Sequence, residues 1–364
     1  MARLYFANPL RRVALVSTYS DRIFRQLDAN LFRLISSLAE RLSVERASAL
    51  GNAVGRRLGP WVRQHENVQR NLRLAFPDRD EAWVAATARA IWGRIFQSLA
   101  EYPHLPAIAS GEGEPRVEIV EHFDLGPARR GEQRLMMVAI HQANWNVHAI
   151  AGHFARLPVS VLVVKQANQH LEPLIAGYRN RMPGGFIEVS AGLRGVMTAL
   201  EQGHHIGMFA DVRDDAQPMV PFFGYPAPTT VWPARLALKL GLVLVPVQLE
   251  RLPGVRFRAT FHRPVERDSG IEDPREASVE MTARLNAQFE QWIRHCPEDW
   301  ICAKRRWPVQ TWKKRRDELQ AMTRFGAWEL WVIRHLVEPF ERIARRRLAD
   351  AGSAHRLLLE TPAH

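Results

Sequence analysis

A histidine at the end of an apolar run can serve as a general base, and this chain offers one at His141. The run Leu135 to Ile140 leads straight into it, and a segment with helical spacing follows from Asn146 to about Leu157. A strand that ends in histidine just before a helix puts the ring at the carboxyl edge of a sheet, where open α/β sheets bind their ligands. To take a proton from a hydroxyl, the ring needs a partner on its other nitrogen. That partner fixes the tautomer and stabilises the imidazolium that forms. Asn146, five residues on, is the nearby candidate: its side-chain oxygen can accept the imidazole N–H, although it brings no charge. A purely structural role for His141 is the competing reading.

Two further clusters carry charge. Asp211 and Arg213 stand just past a hydrophobic run that ends at Ala210, and Val220-Pro221-Phe222-Phe223-Gly224 follows. Asp211 again falls at the carboxyl edge, and Arg213 suits a phosphate or carboxylate. An ordinary charged loop is the alternative, and Phe222 and Phe223 read either as walls of an acyl-chain channel or as core. The second cluster is Lys304-Arg305-Arg306 between Trp300 and Trp307. Three cations between two tryptophans fit a phosphate-rich ligand or lipid headgroups with the rings at the interface. Lys165 and Arg179 are weaker candidates that would add to a positive cleft.

The elements that must position these groups follow from periodicity. Residues 20 to 59 read as helices, with Leu31, Leu34, Ile35, Leu38 and Leu42 on one stripe. That stripe suits a helix packed on the core or one lying on a bilayer. Residues 80 to 101 form an amphipathic helix, and residues 104 to 115 read as a loop. From 116 onward strands at 116–120, 134–140, 159–164, 186–189, 205–210, 242–249 and 255–262 alternate with helices at 146–157, 169–182, 191–202, 230–240 and 275–295. This alternation predicts an α/β fold with a mostly parallel sheet covered on both faces. After Pro308 the basic run Lys313 to Arg316 precedes a basic amphipathic helix carrying Trp328, Val332, Leu336 and Phe340. Three segments result: a helical one over 1–60, an α/β domain over 61–308, and a basic helical extension over 309–364.

Composition narrows the partners. Fifty Lys and Arg against 38 Asp and Glu give a net charge of +12, which points to nucleic acid, an anionic membrane or an acidic protein. A nucleic-acid reading would rest on charge alone, because no nucleic-acid-binding motif is present. The two cysteines, Cys296 and Cys302, make neither a disulfide framework nor a metal cluster and suit a reducing compartment. No secretory signal is read at the start. The longest stretch free of Asp, Glu, Lys and Arg, Leu135 to Ala155, holds three histidines, two asparagines and a glutamine, so no membrane span is expected.

In this order the motifs resemble the lipid A biosynthesis acyltransferases, the lauroyl and myristoyl transferases of Gram-negative bacteria. The resemblance runs from about Asn67 to Pro308. It takes in Asn71 to Pro77, Glu101 to His104, His141 to Asn146, Gly207 to Arg213, Val220 to Gly224, Thr229 to Gly241 and Trp300 to Pro308. It implies a glycerolipid-acyltransferase-like α/β fold, a mostly parallel mixed sheet flanked by helices, with amphipathic helices at both termini. It also implies transfer of an acyl chain from acyl carrier protein to a hydroxyl of a lipid A precursor. The setting would be the cytoplasmic face of the inner membrane, peripherally bound, with no cofactor or metal. His141 would be the base and Asn146 its orienter, with Lys165, Arg179, Asp211, Arg213, Lys304, Arg305 and Arg306 on the substrates. The family pattern His-Phe-Gly-Asn-Trp-Glu becomes His141-Gln142-Ala143-Asn144-Trp145-Asn146 here, and Lys304 stands where histidine is usual. Three readings of the altered glutamate follow: Asn146 orients His141, another acid such as Asp211 or Glu101 supplies the charge, or the chain binds lipid or carrier protein without catalysis.

Overall fold

The computed structural model describes residues 18–111 and 115–314. The first 17 residues and the basic helix expected around Trp328 lie outside the described residues. The chain divides into two compact units after Pro308, and residues 309–314 of the second are helical.

The larger unit is built on one seven-stranded sheet. Its strands are β1 (Val117–Glu121), β2 (Leu135–Ala139), β3 (Val159–Val163), β4 (Gly185–Glu188), β5 (His205–Phe209), β8 (Val243–Leu252) and β9 (Arg256–Phe261), in the order β1-β9-β8-β2-β5-β3-β4. All neighbours run parallel except β8 and β9. Every residue of β2 is buried, as a strand covered on both faces requires. The α/β fold and all seven expected strands are present. A separate hairpin, β6 (Met219–Phe222) and β7 (Tyr225–Pro228), lies outside the expected pattern. Its four-residue strands each carry a proline at position 221 or 226, which removes a ladder donor and hides the strand pattern.

Helices flank the sheet: α1 (Thr18–Glu40), α2 (Val44–Leu58), α3 (His65–Ala75), α4 (Glu81–Glu101), α5 (Leu105–Ser110) and α6 (Gly126–Arg129) come first. They are followed by α7 (Val147–Phe154), α8 (Glu172–Arg179), α9 (Gly192–Glu201), α10 (Trp232–Leu240) and α11 (Pro274–His295). Helix α5 corrects the expected loop over 104–115. Pro106 sits in its first turn, where a missing N–H costs little, and Gly111, at φ +67°, ends it in the left-handed region. In α1 the core takes Ala29, Phe32, Ser36 and Ala39, while Leu31, Leu34, Ile35 and Leu38 stay exposed. The leucine stripe of α1 is therefore not the face packed on the core.

Helices α2 and α4 meet along a glycine seam. A Cβ at Gly55 would overlap the Trp92 carbonyl, and one at Gly51 would stand 2.7 Å from the Phe96 carbonyl oxygen. Backbone cannot give way as a side-chain end can, so Gly55→Val should destabilise the fold by about 2–3 kcal/mol. A urea melt should show the lower midpoint.

Two histidines are held as neutral rings, His205 fully buried and His262 half-buried. The Leu135 N–H at the start of β2 donates to His205 Nδ1 at 3.1 Å. Burial, and then the nearby Arg134 charge, pushes its pKa to about 4. His262 is pushed to about 4 by burial and by His122. In the unfolded chain both rings take up protons below about pH 6.5, whereas in the fold they do not until about pH 4. Stability should therefore fall as the pH drops through that window and level off beneath it. Melting temperatures measured from pH 7.5 to 4 in wild type and in His205→Gln should show a shallower acid slope in the variant.

Candidate active site

The β2–β5 pairing places the two candidate groups. Ala139 is opposite Phe209, and the Ala210 N–H donates to the Ala139 carbonyl at 3.0 Å. Two residues beyond Ala139 and Phe209 stand His141 and Asp211. Strands 70 residues apart in sequence thus bring imidazole and carboxylate to one level of the carboxyl edge. His141 Nδ1 lies 2.7 Å from Asp211 Oδ1, and the His141 backbone N–H donates to Asp211 Oδ2 at 3.1 Å. The ring also lies against Phe209, centroid to centroid 4.5 Å.

Asp211 is buried. Burial by itself would raise its pKa, but the His141 charge, the two bonds from His141 and the nearby Arg306 outweigh burial and hold the carboxyl below its ordinary value. An ionised carboxylate only accepts hydrogen bonds, so the bonding assigns the ring proton to Nδ1 and leaves the Nε2 lone pair open. His148 is nearby and half-buried. Burial, and then the His141 charge, pushes its pKa to about 3, so it stays a neutral neighbour. It lines a small apolar cavity of about 30 Å³ with Met137, Gly152, Val161 and Phe209.

Asn146 does not hold the ring. Its side-chain amide donates to Asn144 Oδ1 at 3.1 Å, and so does its backbone N–H, at 3.3 Å. The carboxylate on the imidazole comes from Asp211, which the family resemblance places among the substrate-binding groups. Asn144 in turn donates to Glu101 Oε2 at 2.8 Å. Glu101 is wholly buried and takes both Arg251 guanidinium ends, at 2.7 and 2.8 Å, and the Ser48 hydroxyl at 2.6 Å. Glu101 is thus the buried anchor of the loop, not the partner of His141.

A second support closes over the same loop. The Ala143 N–H donates to the Asp299 carbonyl at 3.0 Å, and the Ile301 N–H donates to the His141 carbonyl at 2.8 Å. Ser98 Oγ donates to the Ala143 carbonyl at 3.0 Å. Ala143 is held at φ +51°, a left-handed conformation that favours glycine. The segment that backs the loop is itself gripped by Asn71, which donates to the carbonyls of Cys302 (2.8 Å) and Lys304 (2.6 Å) and accepts the Arg306 N–H at 3.1 Å. Asn71 and Glu101 each open a motif noted in the sequence, whereas Arg251 has no sequence signal.

The cations divide into two groups. Arg306 is buried, its guanidinium bonded to the Pro228 carbonyl at 2.9 Å and to Thr229 Oγ1 at 2.5 Å. Burial lowers its pKa to about 10, partly opposed by Asp211. It braces the β6–β7 hairpin and adds positive charge beside Asp211, so it is no open binding group. Arg213 pairs with Asp215 and lies 3.5 Å from the Trp307 carbonyl. Lys304 and Arg305 are exposed. Partial desolvation of its stem side, and then the charges of Arg213 and Arg70, lower the Arg305 pKa against the opposing pull of Asp215. Lys165 instead pairs with Glu188 at 2.7 Å, and Arg179 with Glu172 at 3.4 Å, and neither meets the His141–Asp211 pair. Trp300 and Trp307 are buried rather than interfacial. Trp300 stacks on Phe223 at 6.2 Å and Trp307 on Phe222 at 5.6 Å, so both phenylalanines are core. Among the described residues no group of three His, Cys, Asp or Glu is arranged to hold a metal.

Residues 30–308 match the family model of the bacterial lipid A biosynthesis acyltransferases. No curated protein matches the chain. Among solved structures, the 1-acyl-sn-glycerophosphate (LPA) acyltransferase PlsC from Thermotoga maritima is similar over 67% of this chain and 97% of its own, at 15% identity and a TM-score of 0.33.

Removing one member of the Glu101–Arg251 pair strands the other in the interior. Arg251→Met should cost about 3–5 kcal/mol, and adding Glu101→Gln should recover part of that loss. A double-mutant cycle by chemical denaturation checks both.

Proposed function

The chain belongs to the bacterial lipid A biosynthesis acyltransferase family, and on that premise we propose that it transfers an acyl chain from acyl carrier protein to a hydroxyl of a lipid A precursor or related glycolipid. The setting is the cytoplasmic face of the inner membrane. The observation that carries this reading is the His141 ring at the end of β2 with a buried carboxylate 2.7 Å from Nδ1. His141 Nε2 takes the proton of the acceptor hydroxyl as its oxygen attacks the thioester carbonyl carbon. The new C–O bond forms, the C–S bond breaks, and the departing thiolate takes the proton back from His141. Asp211 holds the tautomer and balances the transient imidazolium. Lys304, Arg305 and Arg213 supply positive charge for the phosphates of the acceptor and for the acidic carrier protein.

The altered glutamate position favours a second reading, a homologue that binds lipid or carrier protein without turning it over. Acyl transfer from acyl carrier protein to a purified lipid A precursor, followed by mass spectrometry, separates the two. Wild type should turn over, His141→Ala should not, and Asn146→Ala should lose less than about tenfold, because Asn146 makes no bond to the ring. Asp211→Asn should lower kcat by about 10³–10⁴, the scale on which a serine-protease triad responds when its carboxylate becomes an amide. Wild type that binds both substrates but never transfers would leave the binding reading standing.

A further inference from the structure

Helix α4 turns a polar stripe toward the histidine loop. Arg94, Gln97, Ser98 and Glu101 follow the i, i+3, i+4, i+7 spacing, which puts them on one face of the helix. Ser98 and Glu101 hold Ala143 and Asn144 directly. Arg94 reaches the same loop by two indirect routes. By the first, its Nε stands 2.7 Å from Asp299 Oδ1, a carboxylate only 3% exposed. Asp299 is the residue whose carbonyl accepts the Ala143 N–H, and Trp300 beside it forms an antiparallel bridge with Gln142. By the second, Arg94 Nη1 donates to Gln97 Oε1 at 3.1 Å and Gln97 Nε2 donates to Ser48 Oγ at 2.7 Å. Ser48 in turn donates to Glu101, the acceptor of Asn144. Ala143 and Asn144 are adjacent, so the two routes close a ring of polar contacts around the loop, with Arg94 at its far side.

We propose that Arg94 is a positioning residue for His141: its ion pair with Asp299 sets the turn Pro297–Asp299 against the back of the histidine loop. Burial pushes the Asp299 carboxyl up, opposed first by Arg94 and then by Arg251. A buried carboxylate without its partner is costly, and the turn relieves that cost by shifting toward water. Such a shift withdraws the Asp299 carbonyl from Ala143 and the Ile301 N–H from the His141 carbonyl. Ala143, at φ +51°, then relaxes, and the ring of His141 moves with it. The inference deepens the acyl-transfer reading of this site and rests on it for its kinetic readout, whereas the contacts themselves can be followed without turnover.

The test uses the full chain as wild type, Arg94→Met and Arg94→Met/Asp299→Asn. Each is assayed for acyl transfer from acyl carrier protein to a purified lipid A precursor, well below its own melting temperature so that kcat does not report a folded fraction. Amide hydrogen exchange is followed by mass spectrometry on peptides covering 140–147 and 299–302. Arg94→Met should lower kcat on the order of tenfold to a hundredfold, the scale for a small misplacement of a reacting group. KM for both substrates should stay within about twofold, because Arg94 touches neither. Both peptides should exchange faster, while 135–139 and 205–209 keep the wild-type rate. The double variant leaves no carboxylate unpaired and should regain most of the kcat and of the protection. Wild-type kcat in Arg94→Met, a loss carried by KM, unchanged exchange of the loop, or a double variant no better than the single one overturns the proposal. If Arg94→Met does not fold, Arg94→Lys replaces it: an ammonium on a shorter stem keeps Asp299 or Gln97 but not both, so kcat should still fall severalfold with KM kept, and wild-type kcat there overturns the proposal. If wild type transfers no acyl chain, the catalytic reading fails by itself and the exchange decides: loosening by Arg94→Met with recovery in the double variant keeps the positioning role, and no loosening ends it.

Discussion

The two-pronged grip of Asp211 on His141 is the constraint on which the rest of the site depends. One carboxylate accepts both the ring N–H and the backbone N–H of the same residue. Ring orientation and main-chain position are therefore fixed together. That geometry exists only while β2 and β5 pair with Ala139 opposite Phe209. A slip of one residue would turn every side chain of β2 to the other face of the sheet. All five β2 residues are packed, and exchanging their faces would disrupt that close packing, so the core around a central strand indirectly guards the imidazole–carboxylate geometry.

The loop that carries His141 is rigid for a different reason. Its backbone passes through a left-handed alanine at position 143, which an unsupported loop would relax. It is kept there by polar contacts from two separate elements, Ser98 and Glu101 of α4 and the segment around Asp299 to Ile301, with Arg251 at the end of β8 holding Glu101 in turn. Most of these groups are buried, and a buried polar network stabilises a single arrangement only when its members are satisfied. The glycine seam between α2 and α4 belongs to the same support, because it sets how α4 lies against α2.

Strand and helix positions are legible because apolar runs and 3.6-residue periods are local signals. The edge location of His141 and Asp211 follows from those signals. Their mutual bond does not, because it depends on which strands become neighbours across 70 residues. Sequence proximity favours Asn146, five residues from the histidine, yet the helix that begins at Val147 leaves the Asn146 amide with Asn144. The Trp300 to Trp307 segment misleads in another way. Tryptophans beside three cations suggest an interface, but both rings stack on the phenylalanines of a hairpin hidden by its prolines. Once that hairpin forms, Arg306 must enter the core with it, and only Lys304 and Arg305 of the three cations remain exposed.

The backing strip from Asp299 to Arg306 has a consequence for the birth of the protein. A chain emerging from the ribosome exposes its amino-terminal part first, and His141, Asp211 and the whole sheet precede that strip. Until residues 299–306 are released, the carbonyl and N–H partners of Ala143 and His141 are missing and Asn71 has nothing to grip. The nascent protein would carry its sheet well before its histidine loop is locked, so a chain stalled or cut short before Trp300 would be folded in outline but chemically unfinished.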